Sequence, residues 1–246
     1  MRIKKNIPNA ITCMNLLCGC IGIIFALRGE GNILYSSALI GLAAIFDFFD
    51  GFAARLLKVH SEIGKQLDSL ADMVSFGVLP GIIMYQLIAE AFKERHQDSM
   101  HLQYIGLIII VFSAIRLAKF NIDTRQSESF IGVPTPANSI LIASFPFIIV
   151  TEFFGSHHFV LIENTLLNPY FLIGVTLLMS YLLVAEIPLF ALKFKNFGWT
   201  DNKIRYSFLG ISVVLLVAFQ FVAIPFVIIL YVVLSLLQNL SKKRAG

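Results

Sequence analysis

The sequence predicts an all-α fold, a polytopic transmembrane helical bundle of about eight spans, on three observations. Of the 246 residues 57% are hydrophobic and only 14% charged. A soluble domain carries about 25% charged residues, so no polar surface could cover a globule of this composition. The mean hydropathy is +0.81. The apolar residues also gather into runs of about 20, the length of a helix that crosses the hydrocarbon core of a bilayer. Twenty-three Phe with so little charge exclude disorder, and three Cys are too few for a disulfide scaffold.

The first run, 8–27, follows Arg2, Lys4 and Lys5 and has the outline of a signal peptide. It lacks a small-x-small cleavage site and leads directly into further spans, so it reads as a retained helix. Cys13, Cys18 and Cys20 all lie in it. Cys18 and Cys20, two apart, point to different sides of a helix with no His near, and read as packing residues. Spans two and three, 33–56 and 66–91, are joined by a short turn. The fourth, 101–121, ends in SAIRLAKFNID. The fifth, 135–153, re-enters behind Pro134 and Pro136. The sixth, 168–187, ends beside Pro188 at Glu186, which reads either as interfacial or as a support for the basic loop that follows. Two short spans, 205–222 and 224–241, share one apolar run punctuated near Pro225. Trp199 with Tyr206 reads as an interface anchor.

An even number of spans puts both termini on one side. That side then carries sixteen of the nineteen Lys and Arg, against Arg28, Lys93 and Arg95 on the other. By the positive-inside rule both termini, Lys58 and Lys195 are expected in the cytoplasm, and the 154–166 loop with His157 and His158 on the far face. Basic residues scattered between apolar spans, rather than clustered, argue against a nucleic-acid partner.

Acidic residues occur where a membrane protein should avoid them. Asp47 and Asp50 lie at the end of span two, and Asp68 and Asp72 at the start of span three. Spacings of three and four put each pair on one helix face, and the 57–65 turn brings the two helix ends together. Four such carboxylates repel one another and are costly to desolvate, so they either snorkel to water or pair with Arg55 and Lys65, or they hold a cation. All-oxygen ligation suits Mg²⁺ or Mn²⁺ rather than zinc. Gly51 leaves the backbone open beside Asp50, and Arg55 adds a fixed cation suited to phosphate. The set reads as a pyrophosphate site.

The spacing Asp47-x2-Asp50-Gly51-x2-Ala54-Arg55-x8-Gly64-x3-Asp68-x3-Asp72 resembles the signature of the CDP-alcohol phosphatidyltransferase family at every defined position. The resemblance implies a six-helix core, here with two further helices, and displacement of CMP from a CDP-linked donor by an alcohol with two divalent ions. It implies that Asp47, Asp50 and Asp68 hold the metals, that Asp72 is the general base and a further metal contact, and that Gly51, Ala54, Arg55 and Gly64 line the CDP site. It also implies a homodimer. The family domain would span 1–187, leaving 188–246 as a basic cytoplasmic loop and a C-terminal helical pair.

Outside the signature, PNAITCMNLLCG (8–19), SAIRLAKFNID (113–123) and FIGVPTPAN (130–138) resemble the phosphatidylserine synthase branch. That branch joins CDP-diacylglycerol and L-serine into phosphatidylserine and CMP. Arg116, Lys119 and Arg125 are cations able to hold the serine carboxylate, or else residues of positive-inside topology in contact with anionic headgroups. Asn121 offers a donor and an acceptor to the serine amine or a phosphate. Thr12 and Asn15 either touch the nucleotide or bond a neighbouring helix. The alternatives are the same family with glycerol phosphate or inositol phosphate as acceptor, a membrane prenyltransferase, or an ion or proton transporter. Prenyltransferase Asp motifs are expected on well-separated helices. Transporter acids are expected near the midplane, and these lie at one edge. With no organelle signal, a prokaryotic cytoplasmic membrane is expected, with the site facing the cytoplasm.

Overall fold

Gly29 and Gly31, both at positive φ, reverse the chain between α1 (Arg2–Leu27) and α2 (Asn32–Leu56). The two helices fold back on each other. The Phe25 and Tyr35 rings lie 5.7 Å apart, the Ser36 hydroxyl donates to the Gly22 carbonyl, and at the other end Thr12 reaches Asp50. The third span is one continuous segment, α3 (Glu62–Asp72), a π-helical turn (Met73–Val78) and α4 (Leu79–Glu94). It runs parallel to α1, because Asn9 meets Gly64, Asn15 meets Asp72 and Gly22 meets Leu79 at a near-constant sequence offset. A Cβ at Gly19 would lie 2.6 Å from Ser75 Oγ, and one at Gly22 2.5 Å from Leu79. Small residues of this kind let membrane helices approach closely.

A 3₁₀ turn (Leu102–Leu107) leads into α5 (Ile108–Ile122), antiparallel to the third span. Gly106 packs on the Tyr85 backbone, Gly81 on Ile110, Gly77 on Ser113, and Ser69 bonds Asn121. This register sets Arg116 level with Val74, within about 3 Å along the axis of Asp72 at 1.5 Å per residue. After α6 (Thr135–Val150) and the short α7 (Val160–Leu166), α8 (Pro169–Val184) begins beside the end of α4: Arg95 Nε donates to the Leu167 carbonyl, and Phe92 stacks edge-on against Tyr170. α9 (Trp199–Phe219) and α10 (Ala223–Ala245) form a hairpin, with Phe208 and Tyr231, equally distant from the reversal, 5.6 Å apart.

The structure, a computed structural model, describes residues 2–29, 31–59, 61–123, 129–150, 160–190 and 198–245. Arg125, His157, His158, Lys193 and Lys195 lie outside these. Among the described residues, Asn6–Leu27, Asn32–Leu56, Glu62–Glu94, Leu102–Ile122 and Asn202–Asn239 are long and apolar enough to cross a membrane, and Thr135–Val150 and Pro169–Val184 are shorter apolar helices. Asn202–Asn239 contains both arms of the hairpin, which accounts for the eight expected spans. The all-α polytopic membrane bundle expected from composition is the observed fold. Cys18 is buried while Cys13 and Cys20 are exposed, as their spacing requires.

Two details differ from the sequence reading. The last run breaks at Gln220 (φ 47°), not at Pro225, which sits in the first turn of α10 where a missing N–H leaves no bond unmade. A small antiparallel ribbon also joins β1 (Ser129–Ile131) to β2 (Pro188–Phe190). Three-residue strands, one beginning with Pro, leave no periodicity to read. One face of α10 secures the ribbon. Tyr231 donates its hydroxyl to the Phe190 carbonyl, Ser235 Oγ accepts from the Phe190 N–H, and the Asn239 amide donates to the Pro188 carbonyl. These three residues are four apart and therefore aligned.

Behind the ribbon, Gly132 (φ 74°) bonds its N–H to the Ile187 carbonyl, and a Cβ there would lie 2.6 Å from the Leu183 carbonyl oxygen. Gly132→Ala is therefore expected to lower unfolding stability in detergent by about 1–3 kcal/mol, the usual cost of a strained backbone position. Gly41→Ala, in a helix interior with nothing within 4 Å of the new Cβ, should be neutral or stabilising by up to about 1 kcal/mol. Thermal denaturation of the two variants side by side checks both.

Candidate active site

The site is assembled at the bundle end where α1 begins, α2 ends and α3 begins. Asp47 and Asp50 come from the last turns of α2; Asp68 and Asp72 come from the last turns of α3. Carboxylate oxygens of Asp47, Asp50 and Asp68 all lie within 4.8 Å of one another. Asp72 faces the same group, with Asp47 and Asp68 as its foremost charged neighbours. None of the four carboxylates is ion-paired with a Lys or Arg among the described residues. The expected alternative, pairing with Arg55 and Lys65, is thus not what the structure adopts. Three oxygen donors converging without a cation fit a hard metal ion, whose bound charge would offset their repulsion.

α1 orients two of these acids. The Thr12 hydroxyl donates to Asp50 Oδ2 at 2.6 Å, and Asn15 Nδ2 donates to Asp72 Oδ1 at 3.2 Å. Asn15 is fully buried, and its own Oδ1 has no partner. Ser75, in the π-helical turn directly after Asp72, donates to the Asn15 carbonyl at 2.9 Å and so ties that turn to α1. π-Helical turns of this kind recur at functional sites.

Beside the acids opens a cavity of about 490 Å³, lined by Thr12, Asp50, Gly51, Ala54, Gly64 and Asp68 among others. Gly51 leaves open space, with only the Arg55 guanidinium 3.7 Å from where its Cβ would lie. Gly64 is tighter, since a Cβ there would lie 2.8 Å from Ser61 Oγ and 2.9 Å from Asn9 Oδ1. Ser61 caps α3 by accepting from the Gly64 N–H at 3.0 Å. The N-terminus of α3, the positive end of its dipole, therefore opens onto the cavity. The sequence reading did not single out Asn9 or Ser61, both of which line it, and took Lys65, also in the lining, only as a pairing partner for the acids. The Ser three residues before Gly64 was the available signal, a cap at a helix start.

Not every expected residue meets here. Arg116 and Lys119 line a second cavity of about 300 Å³, between α5 and the end of α8, together with Asp123 and Glu186. Arg116 is 4% exposed, its guanidinium lies 5.2 Å from the Phe120 ring centre, and its Nε has no partner. Asn121 faces elsewhere: its amide donates to Ser69 Oγ at 2.8 Å, locking α5 to α3. Trp199 and Tyr206 stack 5.4 Å apart, with Trp199 exposed.

A protein-family model for CDP-alcohol phosphatidyltransferases matches residues 5–185. The chain belongs to the CDP-alcohol phosphatidyltransferase family. The matched region takes in α1 to α8 and every acid of the cluster, so the family domain contains the whole site. Among relatives, the CDP-diacylglycerol–serine O-phosphatidyltransferase of Bacillus subtilis (strain 168) is 32% identical over 188 residues, covering 74% of this chain and 88% of that protein. The enzyme of that name from Helicobacter pylori (strain J99) is 35% identical over 137 residues, 55% of this chain and 54% of its own length. The archaetidylserine synthase of Methanothermobacter thermautotrophicus is 32% identical over 142 residues, 56% of this chain and 57% of its own. The chain thus spans about half the length of the Helicobacter and Methanothermobacter proteins.

Mn²⁺ is a direct probe of the acid cluster. Titrated in detergent and followed by the loss of the free-ion electron paramagnetic resonance signal, the wild-type protein should bind it. Asp47→Asn, Asp50→Asn and Asp68→Asn should each weaken binding by well over ten-fold. Thr12→Val, which only orients a ligand, should weaken it by about ten-fold. Unchanged affinity in all three Asp variants would exclude the cluster as a metal centre.

Proposed function

We propose that this protein transfers the phosphatidyl group of CDP-diacylglycerol to the hydroxyl of L-serine, giving phosphatidylserine and CMP. The observation that carries the reading is the convergence of three unpaired carboxylates beside a polar cavity in a chain of this family. The names of relatives at 32–35% identity support serine as the acceptor.

Asp47, Asp50, Asp68 and Asp72 would hold two divalent ions, Mg²⁺ or Mn²⁺, which when bound neutralise the pyrophosphate and the departing CMP. Thr12 fixes the rotamer of Asp50, and Asn15 that of Asp72. Gly51, Ala54 and Gly64 keep the cavity floor free of bulky side chains, and Arg55 and the α3 N-terminus supply positive potential for the phosphates. Asp72 takes the proton of the serine hydroxyl as that oxygen bonds to the lipid-side phosphorus. The bond between this phosphorus and the bridging oxygen breaks, and its electrons leave with CMP. The donor's acyl chains remain in the bilayer. Arg116, with Lys119, holds the serine carboxylate, while Asn121 acts at one remove by fixing α5 against α3. Arg125 is assigned to the acceptor side from the sequence alone.

The active site faces the cytoplasm of a prokaryotic cell membrane, the enzyme acts as a homodimer, and 188–246 is an accessory segment to the 1–187 catalytic domain. The charge bias supports the orientation: sixteen of nineteen basic residues fall on the side of the acids. A single Cys placed at Lys58 in a Cys-free background should be inert to impermeant maleimide on intact cells and react once they are opened. Labelling from outside would reverse the topology.

CMP release from CDP-diacylglycerol with L-serine, glycerol 3-phosphate or inositol phosphate tests the acceptor, and serine alone should support it. Asp47→Ala, Asp50→Ala and Asp68→Ala should abolish release. A charge-assisted bond contributes about 1.5–3 kcal/mol, so Arg116→Ala should raise the serine KM about ten-fold to a hundred-fold. Arg116→Lys should recover part of this. Arg55→Ala should instead raise the KM for CDP-diacylglycerol. Equal shifts in both KM values after Arg116→Ala would remove Arg116 from the acceptor site.

A further inference from the structure

The cavity between α5 and α8 holds opposite charges apart. Arg116, Lys119 and Asp123 line it from the α5 side, Asp123 with an interaction of its own, and Glu186 lines it from the segment leaving α8; Lys119 and Glu186 are exposed, Arg116 is buried. Among the described residues Glu186 forms no ion pair or hydrogen bond, and Arg116 Nε, on a side chain 96% buried, has no partner. Around this space of about 300 Å³ the exposed Lys119 and Glu186 are hydrated and gain little by pairing, and the backbone that carries Glu186 is fixed. The Gly132 N–H holds the Ile187 carbonyl, the Val133 N–H holds the Leu182 carbonyl, and α10 fixes the strand that begins two residues after Glu186. Leu183 and Val184 complete the wall beside Glu186, so the negative end of the α8 dipole also lies there.

A purely anionic acceptor would meet Glu186 and this helix end as repulsion. A zwitterion has a charge for each end. We propose that Glu186, with the carboxyl-terminal turn of α8, is the ammonium-binding end of the acceptor site opposite Arg116, and that this pairing selects a small zwitterionic amino alcohol over phosphorylated polyols. The proposal rests on the serine reading above and adds its specificity determinant.

The test compares L-serine with 3-hydroxypropionate, which keeps the hydroxyl and carboxylate and lacks the amine. Wild-type enzyme should favour serine strongly. Glu186→Gln should raise the serine KM roughly ten-fold, leave kcat and the KM for CDP-diacylglycerol nearly unchanged, and narrow the preference over 3-hydroxypropionate by the same factor. Glu186→Asp should restore part of the preference, because the charge is kept. A Glu186→Gln enzyme with an unaltered serine KM, or with both substrates' KM values and kcat shifted together, overturns the assignment of Glu186 while leaving serine transfer intact. Wild-type enzyme that releases CMP with glycerol 3-phosphate and not with serine overturns the serine reading itself, and the assignment with it.

Discussion

Everything at the active end follows from holding four carboxylates together at the edge of an apolar bundle. Charges of like sign a few ångströms apart repel, and the repulsion grows as water is excluded. Two helices carrying Asp47, Asp50, Asp68 and Asp72 would splay if nothing else fixed them. The opposing force is packing. α1 lies against both helices along their length, and it can do so because Gly19 and Gly22 present no side chain to Ser75 and Leu79. Thr12 and Asn15 then reach one acid on each side. The first helix is therefore part of the site through its contacts, even though it carries none of the acids.

The same principle extends outward. α5 seats against the third span through Gly77, Gly81 and Gly106 and is locked at the active end by Asn121 on Ser69. That register carries Arg116 to the depth of Asp72. The π-helical turn after Asp72 inserts an extra residue into the span where α1, α3 and α5 meet, with Ser75 turned to α1 and Gly77 to α5. Without it, an unbroken α-helix would rotate everything after Asp72 relative to the acids before it, so one helix could not serve both neighbours.

Much of this was legible in the sequence, for identifiable reasons. Composition and run length gave the class and the spans, since a bilayer imposes a length and an apolar content that nothing else imitates. The acids were legible because charge in a span is costly and stands out against Phe and Leu. Asn121 was placed on the acceptor because its amide is versatile, yet a residue that can bond anything is equally suited to bridging helices, and Ser69 takes it. Glu186 is open to two readings in the sequence because the cavity it shares with Arg116, seventy positions earlier, is created only by tertiary packing. The ribbon was invisible: three-residue strands have no period, and what holds them is a line of polar groups on α10 that reads in sequence as Tyr, Ser and Asn scattered in an apolar run.

That ribbon shows why the C-terminal hairpin bears on the site although the family match ends at residue 185. The wall of the α5–α8 cavity runs from Val184 to Glu186, and the strand at 188–190 follows at once, a segment with no helix of its own to stiffen it. With Leu189 and Phe190 buried, its N–H and carbonyl groups have to find partners within the protein, since an unpaired buried backbone group is costly. Ser129–Ile131 supplies some, and Tyr231, Ser235 and Asn239 supply others, with Phe190 held between the Phe208 and Tyr231 rings at 5.7 and 4.9 Å. The hairpin thus converts a loop at the mouth of a cavity into a fixed wall. A cavity lined by charges of both signs keeps its shape only if the segments that carry them are fixed, and for the segment at Glu186 the fixing comes from the ribbon and α10.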